Sequence, residues 1–146
     1  RTNQILDEMC ATLGGRAAEE TMFKQISTGA LNDLEKITKQ AKAMVAIYGL
    51  NKTIGNITYY DSSGEQSYFS KPYSENTAQI LDQEIKKIIE KEYTRAKKIL
   101  NKYKKELIKL SNILLDKEVI FQEDLEKVLG KRKWKHVNKI TINKSK

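Results

Sequence analysis

The sequence predicts a mainly α fold with one small two-stranded β element around residues 54–70, and three observations carry that expectation. Apolar residues recur three and four positions apart over most of the chain, the spacing that lines one face of a helix. Glycines stand where those stripes stop, at Gly14-Gly15, Gly49 and Gly130. Between Ile54 and Phe69 the pattern changes: Ile57, Tyr59 and the Tyr68-Phe69 pair flank Asp61-Ser62-Ser63-Gly64, which reads as two short strands around a turn.

Taken in order, Ile5, Met9 and Leu13 predict a first helix stopped by Gly14-Gly15, one glycine adopting a left-handed cap and the other allowing close packing. Arg16 to Phe23, rich in alanine and glutamate, predicts a second, before the irregular stretch 25–29. The clearest helix carries Leu34, Ile37, Ala41, Val45 and Tyr48 on one face and ends at Gly49, with Thr28 or Asn32 as its cap. Pro72 favours an extended lead into a helix capped by Ser74. From Leu81 to Leu114 the apolar spacing fits one long helix or two, because Asn101-Lys102 and Lys104-Lys105 permit a turn. A last helix spans about Gln122 to Leu129 and ends at Gly130.

At 146 residues the chain fits one domain able to bury roughly two thirds of its unfolded surface. It begins with Arg1 and has no membrane-length apolar run, so it reads as a soluble piece of a longer protein, with any membrane attachment outside it. The single Cys10 cannot form an internal disulfide and reads as a small core residue. The net charge of +8 is concentrated in a tail: residues 131–146 hold seven basic and no acidic side chains, leaving 20 basic against 19 acidic before it. That divides the sequence into a body, 1–130, and a basic tail expected to be disordered, 131–146. Because the tail lacks the interleaved aromatics of a stacking surface, nucleic acid is not expected as a partner.

Read without reference to any family, the chain contains no complete catalytic constellation. Its one histidine, His136, lies in the basic tail, and there is no phosphate-binding glycine loop, nucleophile elbow or cysteine pair.

The order of segments nonetheless resembles the C-terminal part of the peptidase domain of FtsH-type proteases, from about Ile5 to Gly130. The matching pieces are Leu13 to Glu20 (LGGRAAEE), Ser27 to Leu34 (STGALNDL), Met44 to Gly49, Lys71 to Ser74 with Thr77-Ala78, Asp82 to Ile85, and Leu114 to Ile120. Their order and spacing together make the resemblance specific. It implies a helical fragment of a zinc endopeptidase domain whose parent also carries an AAA+ ATPase domain that binds ATP. The parent would be a homo- or hetero-hexamer that unfolds and degrades unfolded or membrane protein substrates. It would be membrane-anchored with the peptidase domain facing the cytoplasm, in the bacterial inner membrane, or in the mitochondrial inner membrane if organellar.

In that family two histidines and a glutamate share one helix in an H-E-x-x-H motif, with the glutamate as general base. The motif is absent here, and the chain would begin after it. The resemblance maps the family's third zinc ligand, an aspartate after Thr-Gly-Ala-x-Asn, onto Asp33. Near the first turn of a helix the unpaired amides favour negative charge, so the chemistry is reasonable, although first-turn aspartates commonly serve only to stabilise the helix. Glu19 resembles a family glutamate close to the metal, where it would support an imidazole by accepting its other ring proton. The alternative for Glu19 is a helix charge paired with Arg16. Tyr59 and Tyr60 are expected to pack rather than to line a substrate path. Alone, the chain is expected to have no catalytic residue of its own, to bind zinc weakly and to be inactive. The competing function is a noncatalytic helical oligomerisation domain of an AAA+ ring protein.

Overall fold

The computed structural model describes residues 1–59 and 72–132, and the chain divides into two compact units, Arg1–Lys102 and Tyr103–Lys146. The first unit opens with α1 (Thr2–Thr12) and α2 (Gly14–Phe23). The expected left-handed glycine cap between them is overturned. The turn is made at Leu13, which stays right-handed at φ −72°, and neither Gly14 nor Gly15 has positive φ. A Cβ on either glycine would meet nothing within 4 Å, so close packing does not require them. Leu13 is instead buried in the core.

α2 ends on Lys24, a non-glycine residue in the left-handed region at φ 58°, whose amide donates to the Glu20 carbonyl at 3.1 Å. A 3-10 turn, Thr28–Ala30, then feeds α3 (Leu31–Lys42). Neither expected cap, Thr28 nor Asn32, starts α3: its cap position is Ala30, and the 3-10 turn before it is capped by Ser27. The stripe that starts on α3 is largely as expected, with Ile37 and Ala41, and Val45 just beyond the helix, fully buried. Tyr48 leaves that face and is exposed. The cause is a π turn over Ala43–Ile47, in which the Tyr48 amide reaches the Ala43 carbonyl at 2.9 Å; the wider turn shifts the register by one residue. Gly49 does end the helix, at φ +59°, where an added Cβ would sit 3.3 Å from the Gly55 carbonyl oxygen.

The two-stranded element expected over 54–70 is also overturned: among the described residues there is no strand. The side-chain oxygen of Asn51 accepts from the amides of Thr53 at 2.9 Å and Ile54 at 3.2 Å, closing a local turn, while its amide nitrogen donates to Glu84 at 2.7 Å. The Tyr59 amide donates to the Ala46 carbonyl at 2.9 Å. Ile54 and Tyr59 pack on Val45, Ala46 and Leu81, and Tyr59 meets Tyr73 edge-on with centroids 5.3 Å apart. Ile54 and Tyr59 therefore cover helices instead of pairing across a hairpin, while Ile57 is exposed. Tyr60 and the expected second strand with Tyr68-Phe69 lie outside the described residues.

Ser74 caps α4 (Glu75–Lys102) as expected, its hydroxyl accepting from the Thr77 amide at 3.2 Å. α4 packs against α1, α2 and α3. The main core joins Met9, Cys10 and Leu13 of the first helix and its turn to Ala17, Ile37, Ala41, Met44 and Ala96, with Ile85, Ile88, Ile89 and Leu100 against it. Small residues at Ala17, Ala41 and Ala96 let the backbones approach closely. Cys10 is the buried core residue the sequence suggested, and burial pushes its thiol pKa up, which keeps it in the unreactive form. Glu92, 2% exposed, is paired with Arg95 at 3.0 Å, and Arg95 also reaches Asp7 on α1.

In the second unit α5 (Lys104–Lys117) and α6 (Gln122–Leu129) pack together. The break allowed near residues 101–105 falls at Tyr103. Asp124 is the buried polar anchor of this pair, taking a bond from Lys117 Nζ at 2.9 Å and one from the Phe121 amide at 3.2 Å. Gly130 ends α6 at φ +81°. Residues 133–146, which include His136 and most of the basic tail, lie outside the described residues.

Candidate functional site

Asp33 is the third residue of α3 and is exposed in its first turn. Among the described residues it has no hydrogen-bond or ion-pair partner, whereas Lys36, one turn on, is held by Glu8 at 2.8 Å. Its neighbours Leu31 and Asn32 are exposed as well, and the first side chain of α3 to reach the core is Leu34. Asp33 thus projects from a helix end that has little apolar anchorage.

Glu19 lies on α2, eight residues before the chain segment that leads to α3. Its carboxylate accepts from the Ser27 amide at 2.8 Å and from the Ser27 hydroxyl at 3.0 Å. These two bonds, the amide's first, hold its pKa below the ordinary 4.5, and the charge of Arg16 adds only a small further lowering. Ser27 is a partner that sequence spacing did not suggest, since a contact between a helix and a loop leaves no periodic trace.

Glu20, the next residue, faces the other way. The Tyr93 hydroxyl on α4 donates to it, and Lys97 lies 3.4 Å from its carboxylate and 4.6 Å from the centre of the Tyr93 ring. Burial, with Glu20 adding to it, pushes the Tyr93 phenol up to about 12, while the same hydrogen bond lowers Glu20. Glu84, bonded by Asn51, and Asp124, bonded by Lys117, are lowered too.

These shifts give the fold a pH signature. A carboxylate whose folded pKa is depressed contributes stability above its unfolded value and loses it as pH falls through the folded value. The chain should therefore lose stability progressively below about pH 4.5, and a thermal-unfolding series from pH 6 to 3 should show it. Glu19→Gln combined with Glu84→Gln should flatten that dependence; an unchanged acid slope would show that these groups are not depressed.

The donor set sets a limit on metal chemistry. No group of three or more His, Cys, Asp or Glu side chains comes together among the described residues. A zinc site needs three protein ligands plus an open position, or four. Asp33 offers an accessible carboxylate with no partner among the described residues, which do not bring further ligand side chains to it.

Residues 1–128 match the family model "Peptidase family M41". The chain is 56% identical over 131 residues to an "ATP-dependent zinc metalloprotease FtsH" of Parabacteroides distasonis, covering 90% of this chain and 19% of the relative. It is 44% identical over 132 residues to the "ATP-dependent zinc metalloprotease FTSH 10, mitochondrial" of Arabidopsis thaliana, with 90% and 16% covered. It is 42% identical over 139 residues to the "Mitochondrial inner membrane m-AAA protease component yta12" of Schizosaccharomyces pombe, with 92% and 18% covered. The chain spans a fifth or less of the length of these relatives. The segments LGGRAAEE, which forms most of α2, and STGALNDL, which leads into α3, lie inside the matched region, and with a family match over nearly nine tenths of its length this chain belongs to peptidase family M41.

Proposed function

We propose that this chain is the helical C-terminal part of the peptidase domain of an ATP-dependent zinc metalloendopeptidase, to which it contributes Asp33 as one zinc ligand. The family match carries the activity, and the exposed, unpartnered carboxylate in the first turn of α3 supports the role of Asp33. The relatives are named as metalloproteases, which favours this reading over a noncatalytic assembly domain.

Zinc, when bound, supplies Lewis-acid chemistry for peptide hydrolysis, and the remaining ligands would come from chain outside these 146 residues. What this chain does is structural and electrostatic. α1, α2 and α4 form the support, α3 presents the carboxylate, and Glu19 fixes the connection between support and ligand. The parent would draw on ATP bound in a separate domain, work as a homo- or hetero-hexamer on protein substrates, and be held in a bacterial inner membrane with this domain facing the cytoplasm, or in a mitochondrial inner membrane if organellar. No helix among the described residues is long and apolar enough to cross a membrane.

Metal analysis of the purified full-length protein tests the reading. Asp33→Ala should lower bound zinc while ATP hydrolysis continues, because the substitution lies outside the ATPase domain. Full zinc occupancy in Asp33→Ala would remove this residue from the site.

A further inference from the structure

We propose that Ser27 is a positioning residue for Asp33, its hydroxyl linking Glu19 on α2 to the start of α3. This rests on the reading of Asp33 as a zinc ligand.

The support side of the link is firmly held. α2 is fixed by buried Ala17 and Thr21 and by the Tyr93 hydroxyl on Glu20. The ligand side is not. Lys24 to Gly29 are all exposed, as are Leu31, Asn32 and Asp33, so no apolar burial fixes the chain between the end of α2 and Leu34 except the half-buried Ala30. Across that gap the polar bonds are concentrated at Ser27. Its amide and hydroxyl donate to the two oxygens of Glu19 at 2.8 and 3.0 Å, and its hydroxyl oxygen accepts from the Gly29 amide at 3.4 Å. The hydroxyl is therefore both donor and acceptor. It caps the 3-10 turn Thr28–Ala30 that runs directly into α3, and through that turn it sets where the first turn and Asp33 lie.

Alanine keeps only the amide bond to Glu19, whereas threonine retains donor and acceptor. The extended backbone of Ser27, φ −81° and ψ 166°, accepts a β-branched side chain. Since Ser27 is exposed, its truncation leaves no cavity.

The test compares Ser27→Ala, Ser27→Thr and Asp33→Asn in the full-length protein. The readouts are zinc affinity by chelator competition, amide hydrogen exchange over residues 28–34, and the unfolding temperature. Ser27→Ala should weaken zinc about tenfold, the scale of losing a group that orients a ligand, and speed exchange at Gly29 to Asp33 while leaving the unfolding temperature nearly unchanged. Ser27→Thr should restore both. Unchanged zinc affinity in Ser27→Ala, or a threonine variant that fails to recover it, overturns the positioning role. If Asp33→Asn loses zinc while Ser27→Ala keeps it, the positioning role alone fails; if Asp33→Asn keeps its zinc, the ligand reading fails and takes this proposal with it.

Discussion

Asp33→Asn in the full-length protein should reduce peptide cleavage by at least about 100-fold, since groups that merely orient zinc ligands already cost about 10 to 100-fold when lost. Bound zinc should fall with it, and ATP hydrolysis should persist. The asparagine nearly preserves size and reach but replaces an anionic oxygen donor with a neutral amide, which zinc sites rarely accept. The competing account of Asp33 makes a different prediction by a wide margin. A helix-stabilising charge in the first turn contributes about 0.3 to 1 kcal/mol, and its loss would leave cleavage largely intact. Measuring zinc, ATPase rate and peptide cleavage on one preparation separates the two; near-normal cleavage with near-normal zinc assigns Asp33 to the helix alone.

The second large effect belongs to the core. Ile37 lies one helical turn after Asp33 and is completely buried among α1, α3 and α4. Ile37→Ala should destabilise the fold by about 2 to 5 kcal/mol, the sum of lost transfer energy and the cavity left behind. With a urea slope of roughly 1 to 3 kcal/mol per molar, the unfolding midpoint should move down by at least about 0.7 M. Ile37→Val, which removes one methylene, should cost only about 0.5 to 1.5 kcal/mol. Equal midpoints for the alanine variant and the parent chain would mean that α3 does not contribute its buried face to the cooperative core.

Much of this architecture was legible because helices print their burial at a three- and four-residue spacing. Ile37 and Ala41 on α3, Val45 in the π turn after it, the Ser74 cap of α4 and the end of α6 at Gly130 follow from local rules, whereas one long helix or two remained open until the break at Tyr103. The failures share a physical cause. Ile54 and Tyr59 have residue types suited to strands, but tertiary packing on the π turn after α3 and on α4 decided their conformation, overriding local preference. Gly14-Gly15 resembled a stop signal, whereas buried Leu13 makes the turn without left-handed backbone. At the candidate site, Asp33 was singled out only through the motif around it, because one first-turn carboxylate looks like any other. The bond between Glu19 and Ser27 joins a helix to an irregular loop, and no periodicity encodes such a pair.

The two adjacent carboxylates of α2 carry one more consequence. Successive residues on a helix point about 100° apart, so Glu19 and Glu20 can serve a loop on one side and Tyr93 on the other only in a single rotational setting of α2. Insertion or deletion of one residue between Ala17, which is fully buried, and Glu19 would swing both acids away from their partners at once. This helix should therefore tolerate changes of side chain at its exposed positions far better than any change of length, which makes α2 a poor place to graft a tag or loop.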